Sequence, residues 1–149
     1  MEKDSKAGRA KALAPALEFN HAMIYSRDVD RELNFYRDRL GFKVIEDMEY
    51  HGRRVYARLR PRKGTATIAI HLLEPGATLP ASDAIRLYFE VKNLRALCAT
   101  LEKAGVTFSQ LPKPMPWGWE HAYLNDPDGH EVSLYWAGDK RFRKSKIRS

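Results

Sequence analysis

A chain of 149 residues with 44% hydrophobic content suits one domain with a sizeable core, or two small halves that share one. No apolar run reaches membrane-spanning length and neither end carries a signal-peptide core, so a soluble, cytoplasmic protein is expected; the single cysteine, Cys98, excludes an internal disulfide framework and a cysteine-rich zinc site. Of the net charge of +7, residues 1–11 carry +2 and residues 139–149 carry +5, so 12–138 are neutral and no specific nucleic-acid partner is expected.

After the basic tail at 1–16, "EFNHAMIYS" alternates as a strand. "RDVDRELNFYRDRLG" reads as a helix, with Asp28 or Asp30 as its cap, the apolar stripe Val29, Leu33, Tyr36, Leu40, and Gly41 as terminator. "FKVIEDMEY" and "RRVYARLRP" are strands around a His51-Gly52 turn, and "TATIAIHLLEPG" supplies another. "EPGATLPAS" has the composition of a connector. The order then repeats: a strand in "AIRLYFEV", a helix from Asn93 to Ala104 closed by Gly105, and strands in "VTFSQL", "WEHAYLND" and "HEVSLYWAG". Cys98 falls on the helix stripe Leu94, Leu97, Cys98, Leu101, which makes it core filler. A second basic tail occupies 138–149.

The duplicated strand-helix-three-strand order over 17–75 and 83–137 predicts an α+β fold: two pseudo-symmetric βαβββ modules in an open, cleft-shaped mixed sheet. Each helix has one apolar stripe and covers one face of its sheet, which leaves the other face for a site. Strand parity lists that face. His21, Met23 and Tyr25 share it on the first strand, and His71 on the fourth. Arg86 and Tyr88 come from the fifth, and Ser133 and Tyr135 from the last. Trp117 and Trp119, in the Pro-rich "LPKPMPWGW", stand at its mouth. Aromatic walls with a few polar anchors are the composition of a small-molecule site. The bland alternatives are histidines bonded within the cleft, an Arg86–Glu90 pair, and tryptophans packed as a lid with no ligand beneath.

"FNHAMIYSRDVDRELNFYRDRLGFKV", with His21 fourteen residues before Phe35, and the "PWG" and "DPDG" of "KPMPWGWEHAYLNDPDGH" resemble the vicinal oxygen chelate superfamily over about 17–137. That superfamily includes glyoxalase I, extradiol dioxygenases, fosfomycin-modifying enzymes and bleomycin resistance proteins. The resemblance implies a homodimer, and a divalent metal held by side chains of both modules. His21 matches the ligand position on the first strand and His71 that on the fourth; Arg86, or Ile85 in an alternative placement, stands where a histidine is expected, and Ser133 where a glutamate is. Glu131 shares Ser133's face but lies one strand repeat, about 6 to 7 Å, away. A permanent arginine charge would also oppose a cation.

The expectation is therefore a glyoxalase/bleomycin-resistance-like protein that binds a small aromatic or anionic molecule with no cofactor, although a metal at His21 and His71 stays open. Ten residues are expected to bind it: His21, Met23, Tyr25, His71, Arg86, Tyr88, Trp117, Trp119, Ser133 and Tyr135. The alternative is a divergent metal-dependent lyase, isomerase or dioxygenase of the glyoxalase type.

Overall fold

The computed structural model describes residues 13, 15–79, 85–138 and 147. The basic tails at 1–11 and 139–146, and the end of the connector at 80–82, lie outside the described residues.

The first module runs β1 (His21–Ser26), α1 (Val29–Leu33) with a π-helical continuation at Asn34–Arg39, β2 (Lys43–Tyr50), β3 (Arg53–Arg60) and β4 (Thr67–Leu72). The second runs β5 (Arg86–Glu90), α2 (Leu94–Lys103), β6 (Phe108–Pro114), β7 (Glu120–Asn125) and β8 (Glu131–Trp136). Each forms a four-stranded mixed sheet, in the orders β1-β4-β3-β2 and β5-β8-β7-β6. The outer pair in each, β1 with β4 and β5 with β8, is parallel, and the other pairings are antiparallel. Neither sheet closes, so the fold is the α+β pair of βαβββ modules that the repeat implies.

Local chemistry sets these elements. Asp28 is the cap of α1, its side chain accepting from the Arg31 N–H at 3.2 Å. The His51-Gly52 turn has φ of 51° and 73°, the left-handed pair that a tight two-residue hairpin demands. Val132 and Leu134 of β8, Leu124 of β7 and Ile70 of β4 alternate into the core with Leu94, Cys98 and Leu101 of α2. Burial pushes the Cys98 thiol up to about 11, so it is inert filler.

The first helix keeps the expected stripe at Val29, Leu33 and Tyr36 and departs from it toward Leu40. The π turn, seen in the Leu40 N–H bonded to the Phe35 carbonyl at 3.0 Å, rotates the buried face. Phe35 and Tyr36, adjacent in sequence, are both buried, and Glu32 is buried with them, whereas Leu40 reaches only the edge of the core.

Candidate functional site

The ten expected site residues fall into two groups, one on each sheet. On the first sheet, Met23 and Tyr25 are exposed on the helix-free face, and His71 lies opposite Tyr25 with ring centroids 6.0 Å apart. His21 stands at the far end of β1, opposite Thr67. The Nδ1 of His71 lies 2.7 Å from the Leu72 carbonyl, and that of His21 lies against the Asn20 side-chain oxygen.

On the second sheet the remaining six converge. Trp119 lies flat against Tyr135 with centroids 5.5 Å apart, and Tyr88 meets Tyr135 edge-on at 5.8 Å. The Pro-rich stretch is the β6–β7 hairpin end, closed by the Met115 N–H on the Trp119 carbonyl and by Gly118 at φ 95°. It holds both tryptophans over the sheet. Two further residues belong here that strand-by-strand reasoning passed over. His121 is 2% exposed, stacked on Tyr135 at 5.3 Å and met edge-on by Trp117 at 5.4 Å; Tyr123 lies under the Arg86 guanidinium at 4.2 Å. Their signal was present: Trp119, His121 and Tyr123 share one parity of "WEHAYLND", while Ala122 and Leu124 of the other parity are fully buried.

Arg86 finds its carboxylate in Glu131, not in Glu90. The register places Arg86 opposite Glu131, with Nη2 2.7 Å from Oε1, while a Glu90 oxygen takes the Ala137 N–H at 3.4 Å. Bonds to Glu131 and to the Tyr88 hydroxyl raise the Arg86 pKa further, so its charge is permanent and already balanced. Ser133 is fully buried and its Oγ lies 3.0 Å from His121 Nδ1. Burial, then the nearby Arg86, lower the His121 pKa and keep the ring neutral.

The family's metal device does not fit these residues. His71 lies opposite Tyr25, four residues beyond His21, a separation of about 13 Å along the strands. Among the described residues, no group of three possible ligand atoms close enough to hold an ion includes His21 or His71. In the second module Arg86 lies beside Glu131 and Ser133 beside Tyr88, and the arginine charge opposes a cation.

Potential ligand atoms of Glu32, Asp126 and His130 do lie within 4.8 Å of one another, on the joint between α1 and the β7–β8 turn. These atoms are committed otherwise. Asp126 Oδ2 accepts from the Tyr36 hydroxyl at 2.7 Å, and Oδ1 from the N–H groups of Asp128 and His130 at 3.1 and 2.9 Å. His130 Nδ1 also points at this carboxylate, 2.7 Å from Oδ2; burial works against the imidazolium, but the Asp126 bond and charge outweigh it and raise the pKa. Glu32 is pushed up to about 11 by burial and by the neighbouring Asp126 and Asp128 charges. Its Oε1 accepts from the Asp128 N–H at 2.9 Å, and Oε2 has no hydrogen-bond partner among the described residues. Asp128 ties the joint to the end of β1 through the Ser26 hydroxyl, and to the following turn and α1 through Arg27 and Arg31. The joint is a proton-holding hydrogen-bond network between the modules.

Two βαβββ modules, each an open four-stranded mixed sheet, define the class of fold. Residues 18–134 match the model of the Glyoxalase/Bleomycin resistance protein/Dioxygenase superfamily, and the chain belongs to that superfamily. Among solved structures, UcmS2 is 26% identical with a TM-score of 0.67, the match covering 81% of this chain and 98% of that one. A member of the same superfamily from Sphaerobacter thermophilus DSM 20745 is also 26% identical, with a TM-score of 0.66 and the same coverage. TnmS3, an antibiotic binding protein from Streptomyces sp. CB03234, shares the fold at 22% identity and a TM-score of 0.66 over 83% of this chain and 98% of its own. A comparison with curated proteins finds no match. Among the described residues no helix is long and apolar enough to cross a membrane.

Proposed function

We propose that this chain binds a flat, uncharged aromatic small molecule on the helix-free face of the second sheet, with no metal ion at the family's positions. The carrying observation is the Arg86–Glu131 pair set among Tyr88, Trp119, Tyr123 and Tyr135. Aromatic faces supply stacking area, and the Arg86 charge on that face is already balanced by Glu131, so an anionic ligand gains less from it than from an unpaired arginine. Of the two ligand types that the composition suggested, aromatic or anionic, this favours the aromatic. The family contains antibiotic-binding members as well as enzymes, and a binding role agrees with a face rich in rings and without a metal-ligand constellation among the described residues.

The reading extends to a homodimer in the cytoplasm, with a second copy covering the exposed rings of the first sheet; Tyr25 and Tyr50 are 49% and 65% exposed. Titration of the purified protein with neutral polycyclic aromatics and with aromatic carboxylates, followed by tryptophan fluorescence, tests the ligand class. Neutral compounds should bind more tightly, and Tyr135→Ala should weaken them about tenfold or more. Preference for the carboxylates, lost in Arg86→Ala, would overturn the proposal. Light scattering of the unliganded protein tests the dimer.

A further inference from the structure

Two buried polar atoms on the aromatic face have no hydrogen-bond partner among the described residues: Arg86 Nε, whose guanidinium is otherwise held by Glu131 and Tyr88, and His121 Nε2, whose ring is almost wholly enclosed. A buried polar nitrogen left without a partner costs free energy, and native structures retain such atoms where something else completes them. The ring is held from the other side. Its Nδ1 lies 3.0 Å from Ser133 Oγ, and Ser133 is itself fully buried.

That contact sets the tautomer. The Ser133 hydroxyl must place its hydrogen somewhere, and among the described residues His121 Nδ1 is the one hydrogen-bond partner of that oxygen. If Nδ1 carried the ring proton, the serine hydrogen would be stranded and Nε2 would be a stranded acceptor, giving two unmet groups. With the hydroxyl donating to Nδ1, the neutral ring keeps its proton on Nε2 and one group is unmet. The second arrangement is the stable one. Because burial and Arg86 both disfavour the imidazolium, the ring keeps this single proton at neutral pH.

We infer that His121 Nε2–H is the hydrogen-bond donor that orients the ligand, held in that tautomer by Ser133, and that it selects planar aromatic molecules bearing a carbonyl oxygen at their edge. The inference rests on the aromatic-ligand reading of this face and adds the acceptor group to it. Trp119 and Tyr135 both lie within 14° of parallel to the imidazole, so a flat molecule stacked on them lies parallel to that ring, and one seated level with it presents an edge oxygen to an in-plane N–H, which is the favoured geometry. Trp117, 43% exposed and edge-on to His121, is the side chain that such an oxygen would displace.

The probes are 9-fluorenone and fluorene, which share a ring footprint and differ in the carbonyl. With the full chain, fluorenone should bind about three- to tenfold more tightly than fluorene. His121→Phe should bring that ratio to about one. Nitrogen NMR of the unliganded, unaltered protein should show His121 protonated at Nε2 and not at Nδ1, a readout that stands even if His121→Phe does not fold. Ser133→Ala should mix the two tautomers and reduce the ratio. If neither probe binds saturably, the aromatic-ligand reading and this inference both fall. Equal affinity for the two probes, or a proton on Nδ1, overturns this inference alone.

Discussion

Replacing Glu32 by glutamine should leave the module joint intact and make the protein more stable, relative to the parent, as pH rises. The amide of Glu32→Gln presents an acceptor to the Asp128 N–H and a donor to Asp126, as the protonated acid does. In the parent, folding at neutral pH requires Glu32 to take up a proton, because its pKa rises from 4.5 in the free side chain to about 11 in the buried joint. A raised pKa stabilises the fold fully below the unfolded value, and that contribution is lost as pH climbs toward the folded value. Within that window the loss is about 1.4 kcal/mol per pH unit. Between pH 5 and pH 8 the parent should therefore lose up to about 4 kcal/mol relative to Glu32→Gln. Titrating groups that do not touch Glu32 are common to both proteins and cancel in the difference. Urea unfolding of both proteins at pH 5, 6, 7 and 8 measures it. Parallel stability curves would mean that Glu32 is ionised in the native state and that the joint holds no extra proton.

Tyr36→Phe removes the buried hydroxyl bonded to Asp126 at 2.7 Å and should cost about 1.5 to 3 kcal/mol in denaturant unfolding; a loss under about 0.5 kcal/mol would refute the role given to that bond. For Arg86 and Glu131, whose side chains are 30% and 24% exposed, a double-mutant cycle should give a coupling of about 1 kcal/mol or less, since solvent screens the pair. Elemental analysis of protein never exposed to chelator should find less than one equivalent of zinc, nickel, manganese or iron. Stoichiometric metal that disappears in His21→Ala or His71→Ala would contradict the register argument. Deleting residues 139–149, six of whose eleven residues are Lys or Arg, should leave the melting temperature unchanged within about 1 °C, as calorimetry can check.

Period-2 alternation, the Asp28 cap, the His51-Gly52 turn and the closing glycines are local signals, each confined to a few neighbouring residues. They determined the order of elements, the duplication and the pairing of two βαβββ modules. They also assigned the face of most site residues, because side-chain parity along a strand is a property of the strand itself. Even His121 and Tyr123 were legible in this way, from the alternation of "WEHAYLND".

What faces what across strands was decided by tertiary structure. Arg86 and Glu131 are 45 positions apart, and nothing local distinguishes Glu131 from Glu90 as the partner; the parallel register of β5 on β8 does. His21 and His71 have the residue types and the parity of a ligand pair, yet the register of β1 on β4 sets them four residues apart. The first helix shows the same limit: a period of 3.6 puts Glu32 on the face of Val29 and Tyr36, but does not say that its carboxyl is held there as a neutral acid. The π turn and the acidic β7–β8 turn, more than ninety residues away, bury it as a neutral acid. Local pattern determines which face a side chain takes, because that follows from backbone geometry alone. Charge state and partner depend on burial and on groups brought together by long-range pairing, so only the folded chain determines them.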